Sequence, residues 1–488
     1  MSAVCIYDNH IFPDVFIRNI VGEKTFGEII LKRVSVKDRF MTFYDSLPEK
    51  GTILEFNHDW EFEGLKKEIR SLTGDSRLIH IFSSQIVEDE EKEGVKVLFA
   101  KAALSDGNYL IRNGEGNVAG FIMKGTSDYI EFMELAKDRL GDEEVYFRYR
   151  FEFSEMTATG LFDISVYSNF RNYITGGFDA RFFNSFAGDE YVVKKISDKK
   201  EKIKAEYTFY GLLPDDMKPW FVMPYDYGED EKTAFYSMKR YHMTDLAVRF
   251  VHGAIDLKEF DQLMQMVFYF LNSRAKKEIS KEEYEKRAND LYVEKVLKRT
   301  EELKKHKAYE KIRRMAQSSL DPMDLLLERY RKLYDRISSG NKTKNISVIG
   351  HGDLCFSNML FDKNTELLML IDPRGALREE DLWTDPHYDI AKLSHSVCGR
   401  YDLFNNGLYR FDLDEDLRPV LEIEFDNSEY VKIFKDYLER NGYSFELIRL
   451  YEASLFLSML PLHMDYPKKV FGFMQNAGMI LDELEERI

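Results

Sequence analysis

Residues 348–361 read Val-Ile-Gly-His-Gly-Asp-Leu-Cys-Phe-Ser-Asn-Met-Leu-Phe, and residues 367–375 read Leu-Leu-Met-Leu-Ile-Asp-Pro-Arg-Gly. Asp353 is followed five residues later by Asn358, and two apolar runs separated by the polar turn Asp362–Glu366 then deliver Asp372. One carboxylate, one amide and a second carboxylate are thereby placed at the ends of adjacent short strands. Phosphoryl transfer from ATP uses such a set: a first carboxylate accepts or orients the acceptor hydroxyl, and an amide oxygen with a second carboxylate holds Mg²⁺ against the phosphates. Mg²⁺ favours hard oxygen ligands of this kind and keeps several waters. Asp353 is therefore the candidate catalytic residue, with Asn358 and Asp372 as candidate metal ligands. Arg374, beside Asp372, could contact phosphate or substrate.

An ATP site also needs a cation for the α- and β-phosphates. Tyr191-Val-Val-Lys-Lys-Ile-Ser197 offers Lys194 and Lys195 on a strand, and Glu206 on the helix that follows can hold one of them in an ion pair. Alternation sends the two lysines to opposite faces, so one alone can point at the nucleotide. Trp220–Tyr225 and Ala234–Tyr241 read as strands that could supply an apolar slot and backbone hydrogen bonds for adenine. No glycine-rich phosphate loop is present; Ala187-Gly188-Asp189-Glu190 is the turn at that place.

His351-Gly-Asp-Leu-Cys-Phe-Ser-Asn358 followed by Ile371-Asp-Pro-Arg-Gly375 resembles the aminoglycoside phosphotransferase and choline kinase-like family, whose signature is HGDxxxxN followed by a metal-binding Asp. HGD in place of HRD, and DPRG in place of DFG, depart from protein kinases and favour a small-molecule acceptor. The resemblance covers roughly 178–488 and implies a bilobal, protein-kinase-like α+β fold that uses ATP and Mg²⁺. It also favours Lys195 over Lys194, because Lys-Ile-Ser resembles the family's Lys-x-Ser strand end. In Tyr388-Asp-Ile-Ala-Lys-Leu393 it implies that Asp389 braces the catalytic loop. Phe178–Asn184 and Tyr388–Leu393 resemble the form fused to sugar-nucleotidyltransferase-like domains in bacterial surface-polysaccharide loci. That implies a sugar or polysaccharide precursor as acceptor, with a choline-like amino alcohol or a non-catalytic nucleotide-binding scaffold as alternatives.

Three segments must position these residues. Residues 1–165 read as a mixed α/β domain with strands at Gly51–Phe56, Leu78–Phe82, Val95–Ala100 and Val118–Met123, and with a hairpin turning at Asn113-Gly114. Val118-Ala-Gly-Phe-Ile and Leu161-Phe-Asp-Ile resemble pieces of a nucleotidyltransferase, but that fold's glycine-rich loop and lysine signature are absent, which implies a degenerate domain for binding or dimerisation. Residues 166–243 read as hairpin, helix (Asp198–Leu213) and two strands, a small sheet lobe. Residues 244–488 read as a helical lobe. Within it 273–314 is a basic, polar stretch that fits a solvated face, and Asp321-Pro322 opens a helix as N-cap and N1. His395 lies one position off the apolar phase of Ile390, Leu393 and Val397, a packing position.

Length and composition bound the rest. At 488 residues the chain exceeds one core. Its 69 Lys+Arg against 86 Asp+Glu give −17, a balance opposite to that of a nucleic-acid binder. Three cysteines build no disulfide framework, and neither a signal peptide nor a span of ~20 apolar residues is visible. A cytoplasmic enzyme acting on a small hydroxyl substrate, without nucleic acid and without stable membrane insertion, is the expectation; oligomeric state has no signature.

Overall fold

The computed structural model describes residues 3–31, 33–48, 51–175, 184–188, 191–315, 321–339, 345–416 and 418–487. It forms two compact units, one from Met1–Asp179 with His252–Ala254, the other from Ala180–Val251 with Ile255–Ile488. Most of Phe178–Asn184, quoted above for the resemblance, lies outside the described residues.

The first unit is an α/β sheet. Strands β1 (Ala3–Asp8), β2 (Ile53–Phe56), β3 (Arg77–Phe82), β4 (Asn108–Asn113), β5 (Val118–Lys124) and β6 (Phe153–Ala158) take the order β2-β1-β3-β5-β4-β6. β1 runs parallel to β2 and β3, β5 runs antiparallel to β3 and β4, and β4 is parallel to β6. Alternation along β1 sends Cys5 and Tyr7 into one apolar cluster and Ile6 into another, so both faces are covered and the strand reads as continuously apolar. One expected strand is a helix instead. Val95–Ala100 lies inside α1 (Lys92–Leu104), where Val95, Leu98, Phe99 and Ala102 are buried at i, i+3, i+4 and i+7. Helical period and core packing outweigh the β-prone valines. The hairpin between β4 and β5 turns at Asn113–Asn117, where the Asn113 carboxamide accepts from the amides of Glu115 and Asn117.

The second unit is mixed α+β, with a small sheet lobe and a helical lobe, the arrangement expected from the sequence. β7 (Asn184–Gly188), β8 (Val192–Ser197), β9 (Pro224–Glu229) and β10 (Ala234–Lys239) form an antiparallel sheet in the order β7-β8-β10-β9. α2 (Lys200–Leu212) joins β8 to the rest, and its buried residues Ile203, Glu206 and Phe209 recur every third position. The stripe that seats the helix therefore carries Glu206 inward. Trp220–Tyr225 is not one strand: Lys218–Trp220 is a short 3-10 helix opened by Pro219, Phe221 bridges Leu370, and β9 starts at Pro224.

The helical lobe contains α3 (Leu257–Ser273), α4 (Pro322–Ser339), α5 (Tyr388–Val397), α6 (Ser428–Arg440), α7 (Phe445–Met459) and α8 (Pro467–Arg487). α7 is buried from Leu447 to Met459 and packs between α5 and α8. Asp321 accepts from the Met323 amide where α4 begins. Among the lobe's short strands, three position the site: β11 (Ile346–Ile349), β12 (Met359–Asp362) and β13 (Leu367–Leu370), the last two an antiparallel hairpin. Among the described residues no helix is long and apolar enough to cross a membrane.

Candidate active site

β11 leads through Gly350 into His351-Gly352-Asp353, and the β12–β13 hairpin brings Asn358 and Asp372 back alongside. Met359 pairs with Leu370, and the Ile371 amide donates to the Asn358 carbonyl at 3.0 Å, so hairpin register alone sets Asn358 beside Asp372. Two further bonds tie the loops together. The Arg374 amide donates to the His351 carbonyl at 2.8 Å, and His351 Nε2 donates to the Ile371 carbonyl at 2.9 Å. His351 Nδ1 accepts from the Asp353 amide at 3.1 Å, which fixes the proton on Nε2. Burial pushes this imidazole below its ordinary pKa, so it stays neutral.

Asp389 on α5 receives the loop's backbone: Oδ2 accepts from the His351 amide at 2.9 Å and Oδ1 from the Gly352 amide at 2.7 Å. Its charge is matched by Arg274 at 2.8 Å, with both side chains sealed from solvent. This is the brace that the resemblance implied. Gly352 has φ +79°, and a Cβ there would sit 2.5 Å from the Cβ of Arg374. The loop thus turns through a left-handed residue under the Arg374 stem, whose side chain is otherwise exposed.

Asn358 donates from Nδ2 to the Asp353 carbonyl at 2.8 Å, which turns its amide oxygen the other way. Asp372 also holds a left-handed φ, +55°, and its side chain is about one-third exposed. Lys195 reaches it from the sheet lobe: Nζ lies 2.9 Å from Asp372 Oδ1 and 2.7 Å from Glu206 Oε2, with the lysine 1% exposed. Burial opposes the charge, but Asp372 and Glu206 outweigh it and hold the ammonium above its ordinary pKa. The Tyr236 hydroxyl donates to Glu206 at 3.2 Å. Lys194 points to the opposite face, its ammonium 3.5 Å over the Phe235 ring. The structure therefore brings Lys195, Glu206, Asp372, Asn358 and Asp353 into one connected network, with Arg374 at its edge. His395 packs between Tyr401 and Phe456, as expected.

The segment after Asp372 is locked onto α2. The Ala376 amide donates to the Ala205 carbonyl at 2.9 Å, and Thr208 Oγ1 donates to the Ala376 carbonyl. Gly375 has φ +89°, and a Cβ there would meet the Ala205 carbonyl carbon at 2.7 Å and the Glu206 amide at 2.8 Å. Beside the network lies an apolar cavity between Val222, Pro224, Tyr236, Met238, Leu370 and Ile371, bordered by Glu206 and Asp372.

One residue at this site has no place in the sequence expectation. Lys392, on α5, sets its ammonium 2.8 Å from Asp353 Oδ1. Burial disfavours that charge, yet Asp353 together with Tyr388 and Cys355 outweighs burial and raises the lysine's pKa. Its spacing of three from Asp389 was the available signal, since both must then share a helix face.

A scan against family models and a search of curated proteins each find no match. Among solved structures, the chain is similar to a thermostable mutant of aminoglycoside phosphotransferase APH(4)-Ia in its apo form, at 11% identity and TM-score 0.35, over 62% of this chain and 94% of that one. An aminoglycoside-3'-phosphotransferase of type VIII is similar at 14% identity and TM-score 0.33, over 56% and 93%. A choline/ethanolamine kinase family protein from Mesorhizobium loti is similar at 10% identity and TM-score 0.27, over 61% and 85%. Scores this low carry no assignment, and the chemistry rests on the geometry described.

Proposed function

We propose that the protein is an ATP- and Mg²⁺-dependent kinase that transfers the γ-phosphoryl group to a hydroxyl of a small molecule, a sugar or surface-polysaccharide precursor. The observation that carries the reading is the ion-paired set Glu206–Lys195–Asp372, tied through the β12–β13 hairpin backbone to Asn358 and Asp353. It joins a phosphate-binding cation, two oxygen ligands and a reacting carboxylate across two lobes.

The donor set fits Mg²⁺. Asn358 directs its amide oxygen away from the Asp353 carbonyl, and Asp372 is partly open to solvent. Among the described residues no cluster of three or more His, Cys, Asp or Glu side chains could hold a metal ion. One carboxylate, one amide oxygen, waters and phosphate oxygens are the shell Mg²⁺ adopts in ATP sites, where it neutralises charge on the β- and γ-phosphates. Asn358 and Asp372 would hold it. Lys195, kept protonated and aimed by Glu206, neutralises the α- and β-phosphates. Asp353 aligns the acceptor hydroxyl and takes its proton. In this reading adenine takes the apolar side of the site at Val222, Tyr236 and Met238, and Arg374 contacts phosphate or acceptor.

In the same reading 166–243 is the sheet lobe and 244–488 the helical lobe. Residues 1–165 are an α/β domain, read as a degenerate nucleotidyltransferase-like one that has lost nucleotidyl transfer and serves binding or dimerisation. A panel of sugars, sugar phosphates, amino alcohols and polyols, assayed for ATP consumption with Mg²⁺, tests the function. An acceptor whose phosphorylation is abolished by Asp353→Ala is the expected result. A panel with no acceptor, or turnover that survives Asp353→Ala, contradicts it.

A further inference from the structure

One stripe of α5 touches the catalytic loop at three successive points. Asp389 takes the His351 and Gly352 amides, Lys392 pairs with Asp353 at 2.8 Å, and Ser396 Oγ accepts from the Phe356 amide at 3.1 Å. The first and third contacts are buried braces. The middle one differs: Lys392 and Asp353 keep 16% and 33% of their side-chain surface, whereas the Arg274–Asp389 pair keeps 1% and 0%. An ion pair that keeps solvent access, at the carboxylate that must meet the acceptor in the kinase reading, is placed for more than bracing.

The charge balance of the transfer points the same way. His351-Gly-Asp-Leu-Cys-Phe-Ser-Asn358 contains no lysine or arginine, and Lys195 stands on the leaving-group side with Glu206 and Asp372. Negative charge spreads over three equatorial oxygens of the phosphoryl group as it moves toward the acceptor, and a fixed cation there lowers the barrier. An acceptor hydroxyl hydrogen-bonded to Asp353 sits within ~3 Å of that carboxylate. The Lys392 ammonium has three donors and its stem runs to the same spot.

Resting on the kinase reading, we propose that Lys392 is a catalytic residue: its ammonium, held on Asp353 in the resting protein, contacts the phosphoryl group during transfer. The acceptor oxygen forms its bond to the γ-phosphorus while the bond from that phosphorus to the bridging oxygen breaks, its electron pair leaving with ADP. The acceptor's proton passes to Asp353. Neutralising that carboxylate frees the Lys392 charge, still protonated, for the phosphoryl oxygens.

The test uses the full-length protein and compares its affinity for ADP–Mg²⁺ with that for ADP–Mg²⁺–aluminium fluoride, which mimics the phosphoryl group in transfer. Wild type gains affinity when fluoroaluminate is added. Lys392→Met is expected to lose that gain by ~100-fold, the scale for removing one transition-state donor, with ADP–Mg²⁺ affinity and melting temperature held. An undiminished gain in Lys392→Met, an equal loss of both affinities, or no gain in wild type overturns the proposal while leaving nucleotide binding intact. If Lys392→Met does not fold, Asp353→Asn and Asp353→Asn/Lys392→Met settle the matter. The gain must be present in the first and lost in the second, and its presence in both overturns the proposal. A wild type that binds no nucleotide removes the kinase reading itself, and this proposal with it.

Discussion

The site's residues are held by few, specific partners, so single changes have separable outcomes. Asp353→Asn keeps size but cannot take a proton, and turnover is expected to fall ~10²–10⁴-fold, the range for general-base loss, with ATP affinity retained in a binding titration. Lys195→Met removes the cation and strands Glu206 and Asp372. Turnover is expected to drop ~10²–10³-fold, and the lost buried pair also lowers the melting temperature. A pH signature comes from Asp402 on the helix after α5, whose carboxyl burial pushes up to about 6 from 3.8. Such an acid costs nothing while neutral, and the cost grows as pH rises from ~4 through 6, toward ~3 kcal/mol above that. Asp402→Asn, which cannot ionise, should therefore gain stability relative to wild type between pH 4.5 and 7.5 in denaturant titrations. A difference independent of pH would refute this.

At the scale of elements, α5 and α2 are the templates. Asp389→Ala leaves the Arg274 guanidinium buried without its partner and frees two loop amides, a loss of ~3–5 kcal/mol for a broken buried pair. Denaturant melts check it. Gly375→Ala places a methyl against the Ala205 and Glu206 backbone at a left-handed φ, so it should displace α2 from Lys195. Weakened ATP binding with the fold retained by circular dichroism is the expected outcome. How much of this was legible follows from sequence distance. Asp353, Asn358 and Asp372 were readable because a loop and one hairpin contain them, and the Lys194–Lys195 pair with Glu206 because a strand and the next helix hold them. Alternation left the two lysines as alternatives, and the resemblance of Lys-Ile-Ser chose Lys195. Lys392 was not singled out, because its partner Asp353 lies on another element and its spacing of three from Asp389 gave a shared helix face without naming that partner. Val95–Ala100 misled through its valines, and Trp220–Tyr225 because Pro219 and the bridge of Phe221 to Leu370 break a run whose composition suits a strand.

For the whole molecule, the net charge is −17, and at the candidate site Lys195 is matched by Glu206 and Asp372 and Lys392 by Asp353, with Arg374 at the edge. In the kinase reading a nucleotide's phosphates would therefore need Mg²⁺ to complete the charge balance, and the acidic whole disfavours general polyanion binding. The sheet lobe supplies Lys195 and Glu206, the helical lobe supplies Asp353, Asn358 and Asp372, and the Asp372 segment fastens one to the other through α2. Neither lobe alone contains a complete set. The six-stranded first unit forms its own core, and its sheet was legible in outline from the apolar runs at β2, β3 and β5.

Calorimetric titration of ATP into the full-length protein, with and without Mg²⁺, in wild type and Asp372→Asn, bears most directly on the central claim. Wild type should bind ATP more tightly when Mg²⁺ is present, and Asp372→Asn should lose that gain while still binding ATP. Failure of wild type to bind ATP, or an equal Mg²⁺ gain in both proteins, would contradict the assignment of this network as a phosphoryl-transfer site.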